Sequence, residues 1–262
     1  MTLLSQQLQK LSLPQDQIKS GSVHHSSLIF TSRVASDHDI EEIFDIGLNG
    51  LEELISLNPV FEQYKETLFH PSTIKFERMV NTAEFLRVVD RNIESFLARV
   101  ADYSLLAASY KALEWLVRGF KIHLHNADTW LAAFIPVHDT NIFPKLLEIV
   151  HLPESWMWLQ KAKSNTSLLS KEDLVQMCVS YPEYLTAFVD SSQKMLAITQ
   201  NKSKCHLSFL VSLVFLALER FDTVPADVIP RLYLCVIATI TSADKEIKSG
   251  KTTELCLFWH VL

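Results

Sequence analysis

VDRNIESFLARVADYSLLAASYKALEWLVRGFKIHLHNADTWLAAFIPVHDTNIFPKLLEIVHL, residues 89–152, is the stretch that decides the fold. Four apolar-periodic segments lie in it, joined by very short connections. Leu106, Tyr110, Leu113, Leu116, Val117 and Phe120 share one helical face, Trp130, Leu131 and Phe134 a second, and Ile142, Phe143, Leu146 and Ile149 a third. With no strand between them, helices so closely spaced must pack on their sequence neighbours. That is how an α-solenoid is built, and such proteins mostly bind rather than catalyse. Trp115 stands in line with Leu113, Leu116 and Val117 on a broad apolar face, so it is expected to be buried.

Upstream the same periodicity continues. Leu86, Val89, Ile93, Phe96, Leu97 and Val100 predict a helix over 84–100. Ser36-Asp-His-Asp39 supplies cap-type residues for a helix whose apolar face holds Ile40, Ile43, Phe44, Leu48, Leu51, Leu54 and Ile55. Gly47 and Gly50 inside it cost about 1 kcal/mol each relative to Ala, so their expected use is close approach of another helix. Asn58-Pro59 breaks this helix, and a shorter one with Phe61, Tyr64 and Leu68 ends near His70-Pro71. Residues 14–35 read as a polar connection after a first helix, Met1–Leu11. Downstream, Gln160–Ser170 is the best linker candidate. Ser170 then caps a helix with Asp173 at its third position, and helices follow at about 171–179, 182–198, 204–221 and 226–241.

Composition excludes several function classes. Only 5 of 262 residues are Gly, too few for the tight turns of a nucleotide-binding α/β fold. The net charge of −6 comes with no clustered basic surface of the kind that grips nucleic acid through phosphates. Lys161, Lys163 and Lys171 come nearest to a cluster. The four cysteines are scattered without CxxC spacing and read as reduced thiols. The apolar run 205–218 has 14 residues, short of the ~18–20 that cross a bilayer, and reads as a buried core helix.

Candidates for chemistry are few. His123 and His125 lie two apart with no Cys or carboxylate at metal-ligand spacing, so no metal is expected. His138-Asp139-Thr140 could do acid–base work, but after Pro136 it reads first as a helix N-terminus capped by Asp139 or Thr140. Asn126 is expected to cap the helix that holds Trp130. Trp156-Met-Trp158 reads as core or packing surface rather than a ligand cage. No nucleophile elbow, Walker loop or dinucleotide fingerprint occurs, and neither an enzyme nor a cofactor is expected.

Three ordered blocks carry a family resemblance: MTLLSQQLQKLSLPQ at the start, IGLNGLEELISLNPVFEQYKETLF at 46–69, and the run from Asn92 to Phe143. The last includes Leu113-Glu-Trp115-Leu116, Phe120-Lys-Ile-His123, Asn126 and His138-Asp139-Thr140. Together they resemble the N-terminal region of the HEAT-repeat-containing protein 1 family, also called U3 small nucleolar RNA-associated protein 10 or BAP28-like. The chain departs from the family's Pro-Tyr-His-x-Thr run at Val137 and around Tyr103-Ser104.

The resemblance implies an all-α, HEAT-like α-solenoid, the truncated N-terminal segment of a longer scaffold. The resemblance covers residues 1–160 well and continues weakly to about 240, so the expected division is an N-terminal helical domain over 1–160, a linker over 161–170, the start of HEAT-like repeats over 171–241, and an atypical tail over 242–262 that resembles nothing in the family. It further implies a nucleolar interaction subunit of the small-subunit processome, supporting rRNA processing and RNA polymerase I transcription. Its partners would be proteins of the transcription-associated subcomplex, with U3 snoRNP and pre-rRNA met indirectly. Family members are several-fold longer, so the chain is expected to be a fragment, a partial gene model or a short form. If further repeats were missing, Leu232, Leu234, Val236 and Ile237 would be an exposed apolar side. A membrane- or transport-associated helical adaptor is the alternative reading, and a hydrolase using His138 and Asp139 a third.

Overall fold

The computed structural model describes residues 26–165, 168–200, 202–221 and 229–230. The expected helix at 1–11, the tail, Cys235, Cys256 and the apolar group 232–237 lie outside them, as does the expected helix at 226–241 apart from residues 229–230, which are helical. All regular elements among the described residues are helical. The fold is an all-α stack of short helices, as the periodicity requires.

After a single turn, α1 (Ser32–Ala35), comes α2 (Ile40–Leu57), opened by Asp39. The Asp39 carboxylate accepts from the Glu42 N–H at 2.8 Å and Glu42 accepts from the Asp39 N–H, a reciprocal capping box. Asn58 closes α2 and accepts from the Val60 N–H, turning the chain into a 3-10 helix, Pro59–Tyr64. Two more 3-10 turns, Pro71–Lys75 and Arg78–Val80, lead to α3 (Ala83–Val100). Its buried face holds Val89, Ile93, Phe96, Leu97 and Val100, as the spacing predicts.

The expected helix over 104–120 is two elements: α4 (Ala107–Trp115) and a π-helical turn, Leu116–Phe120. The turn closes at Lys121, which sits in the left-handed region (φ 54°, ψ 44°) and sets off α5 (Ile122–His125). Next come α6 (Ala127–Phe134), α7 (Ile142–Ile149), a 3-10 segment Glu154–Leu159 and α8 (Gln160–Asn165). Residues 160–165, expected as the opening of a linker, are thus helical. Lys163 there donates to the Val150 carbonyl. The chain continues through α9 (Lys171–Ser180), α10 (Pro182–Ile198) and α11 (Lys204–Leu218). Ser170 caps α9 by accepting from the Asp173 N–H at 3.0 Å.

The most extensive pairing joins α2 to α4, which are not sequence neighbours. The glycines explain it. A Cβ on Gly47 would stand 2.3 Å from Trp115 Cβ, and one on Gly50 would stand 2.6 Å from the Ala108 carbonyl oxygen. Only a glycine seam lets the two backbones approach so closely. Elsewhere α9, α10 and α11 pack on one another, while α6 packs on α3 and α10. One apolar core, from Leu28 to Ala217, runs through the described residues on both sides of segment 161–170.

Candidate interaction site

The α2–α4 seam fixes the first pair of signature residues. Trp115 is fully buried, and its indole N–H donates to the Leu68 carbonyl at 2.8 Å. The polar edge of the ring is therefore satisfied inside an apolar core. Phe44 meets the indole edge-on at 5.0 Å and Phe120 at 6.0 Å. Beside them Glu114 is buried and accepts from the Leu28 N–H at 2.7 Å, pinning residues 27–30 to α4. Burial pushes its carboxyl pKa up.

Past the π-turn, His123 is buried with no partner for Nδ1 among the described residues. Burial, helped by the nearby His125 and Lys121 charges, lowers its pKa to about 4. It is a neutral core residue at neutral pH. Asn126 stands at the N-terminus of α6 but does not cap it with its side chain. Its amide instead donates to Asp90 Oδ1 at 2.9 Å, and its Oδ1 accepts from Arg78 at 3.4 Å. Arg78 also pairs with Asp90, so the three side chains tie the Arg78–Val80 turn, α3 and the start of α6 together. Burial raises the Asp90 pKa, but the hydrogen bonds from Arg78 and Asn126 outweigh it and hold the pKa low.

His138 is buried, its Nδ1–H donating to the Leu169 carbonyl at 2.7 Å and its ring meeting Phe209 edge-on at 6.0 Å. Burial, again the dominant effect, lowers its pKa. The expected cap by Asp139 or Thr140 is not formed: α7 starts after Asn141 without a side-chain cap, and Thr140 donates back to the Val137 carbonyl at 2.7 Å. Asp139 is exposed. His138 therefore faces a carbonyl and a phenyl ring rather than a polar cleft.

An open groove lies elsewhere, between α6, the Glu154–Leu159 segment and α10, with a volume of about 270 Å³. Trp156, Phe188, Ala132 and Met195 line it alongside Trp158 and Tyr184, with Asp128 and Lys194 among its polar residues. Trp158 packs 6.0 Å from Tyr184 and 5.8 Å, edge-on, from Phe188. Ser155 donates to Asp128 Oδ1 at 2.7 Å, and Lys194 pairs with Glu94 of α3. Among the described residues no group of three His, Cys, Asp or Glu side chains could hold a metal ion.

Comparison with known proteins decides the family. No family model matches the chain. Human HEAT repeat-containing protein 1 is 32% identical over 266 aligned residues, which cover 98% of this chain and 12% of the human protein. The Drosophila melanogaster homolog of that protein is 32% identical over 83% of the chain, and 11% of the fly protein is covered. U3 small nucleolar RNA-associated protein 10 of Debaryomyces hansenii is 36% identical over 64% of the chain and 10% of the yeast protein. The chain belongs to the HEAT repeat-containing protein 1 family. It spans about a tenth of the length of these curated relatives.

Within this member of the HEAT repeat-containing protein 1 family, the seven candidate interaction residues of the resembling blocks, Trp115, Phe120, His123, Asn126, His138, Asp139 and Thr140, do not converge on one site. Trp115 and Phe120 share the α2–α4 seam, Asn126 joins α3 to α6, and His138 holds the 168–170 segment against α11. The groove uses other residues. Trp156 and Trp158 were visible in the sequence as an aromatic pair, but Asp128, Tyr184 and Phe188 are brought to them only by packing.

Proposed function

We propose that this chain is a scaffold and interaction subunit of the small-subunit processome, serving ribosome biogenesis in the nucleolus. In this reading it supports pre-rRNA transcription by RNA polymerase I and 18S rRNA maturation. It would contact proteins of the transcription-associated subcomplex, meeting U3 snoRNP and pre-rRNA through them. One observation carries the reading: relatives named HEAT repeat-containing protein 1 and U3 small nucleolar RNA-associated protein 10 align along most of the chain. The all-helical stack agrees with it, because paired helices that bury one face on their neighbours leave the other for partner segments. The signature residues act in this reading by holding that stack rigid.

No helix among the described residues is long and apolar enough to cross a membrane, so nothing favours a membrane adaptor over the scaffold. Immunoprecipitation of the endogenous protein, followed by measurement of co-purified U3 small nucleolar RNA, tests the proposal. Enrichment over an unrelated nuclear RNA is the expected result. Recovery of the protein in a salt-resistant membrane pellet without that RNA would overturn it.

A further inference from the structure

We propose that the aromatic groove between α6 and α10 binds a basic peptide segment of a partner protein, with an arginine side chain laid on the Trp158 ring and paired with Asp128. The groove presents what a guanidinium needs. Trp158 and Tyr184 line it half-buried, while Trp156 and Phe188, which pack against Trp158, are buried. The face of an indole attracts a cation, most strongly where water is partly excluded. A planar guanidinium can also stack on a ring while its edge forms two parallel hydrogen bonds to a carboxylate.

Asp128 supplies that carboxylate. It is exposed in the first turn of α6, and the hydrogen bond it accepts from Ser155 engages Oδ1. No cation pairs with it among the described residues. Lys194, the groove's own cation, is paired with Glu94. Glu154 and Glu183 are exposed and directly precede the groove residues Ser155 and Tyr184. The groove lining itself carries one carboxylate, Asp128, and one ammonium, Lys194, whose charge is met by Glu94, in a chain whose net charge is −6. An acidic peptide or a phosphate backbone would be repelled where a basic segment is drawn in. The apolar wall formed by Ala132, Ala187 and Met195 would take the aliphatic stem of the arginine or a neighbouring leucine.

The test uses the full 262-residue chain and defined probes, and no processome component enters it, so its outcome is separate from that of the proposed function. Tryptophan fluorescence is titrated with the peptide acetyl-Gly-Arg-Leu-Arg-Leu-Arg-Gly-amide and with the same peptide carrying citrulline, a neutral isostere, for each arginine. Decauridine is titrated in parallel. The arginine peptide should bind, and the citrulline peptide should bind about tenfold more weakly or worse. Asp128→Asn and Trp158→Ala should each weaken the arginine peptide about tenfold, while Asp128→Asn keeps the melting temperature and leaves the citrulline peptide unchanged. Equal binding of the two peptides would make the groove a general apolar site and sink the proposal. So would an unaltered Asp128→Asn variant, absence of any binding by the arginine peptide, or tighter binding of decauridine, which would turn the groove into a base-stacking surface.

Discussion

Trp115 combines an apolar setting, a buried hydrogen bond and contact with a glycine seam in one side chain. Truncating it to Ala should cost about 3–5 kcal/mol, because the cavity under α2 cannot close against Phe44 and Phe120. Urea denaturation measures this, and an unchanged midpoint would mean the ring is not core. Gly47→Ala attacks the seam from the other side. Its added methyl would meet Trp115 Cβ near the backbone, so a loss of about 1–3 kcal/mol is expected. His123 and His206 are both buried, with burial lowering each pKa to about 4. In the unfolded chain a histidine titrates near 6.5, so between these values the unfolded state holds more protons. Stability is then full above about pH 6.5 and falls as pH drops toward 4. Denaturation midpoints at pH 7 and pH 5 should show the fall, and His123→Asn should reduce it.

Elements are ended and joined by devices of different legibility. The Asp39 and Ser170 caps are local, since a side chain meets a backbone N–H three residues on, and both are visible in sequence. The cap on α11 is not. Asp102, about a hundred residues upstream, accepts from the Cys205 N–H at 2.8 Å and from the Ser203 hydroxyl at 3.1 Å. Asp102→Ala should cost about 1–2 kcal/mol and speed hydrogen exchange in the first turn of α11 while leaving α2 unaffected. Lys121, which ends the π-turn, is a non-glycine residue with φ of 54°. Lys121→Gly should relieve that conformation and stabilise the chain by about 1 kcal/mol, read as a raised melting temperature.

For the whole molecule, circular dichroism should show helix with no substantial strand component, as the element order requires. Direct RNA binding should be weak. Of the three lysines nearest to a basic cluster, Lys163 is occupied by the Val150 carbonyl. Lys161 and Lys171 would neutralise about two phosphates, giving a log–log salt slope of about −1.4 on single strands. Filter binding with pre-rRNA fragments at near-physiological salt checks this. Sub-micromolar affinity would show that the charges gather in a way the net value of −6 conceals.

Helix identity was written in the sequence because 3.6-residue periodicity is a local property. Val89, Ile93, Phe96 and Leu97 announce their shared face before any partner is known. Gly47 and Gly50 announced a close approach for the same reason, since glycine inside a helix is tolerated at a cost only where space demands it. The sequence could not name α4 as the partner, because that contact spans some sixty residues. Separation along the chain also hid the destination of Asn126. It looked like a cap, but was drawn to Asp90 and Arg78, 36 and 48 residues upstream. A polar side chain takes the best partner within reach, and only the tertiary structure decides what lies within reach.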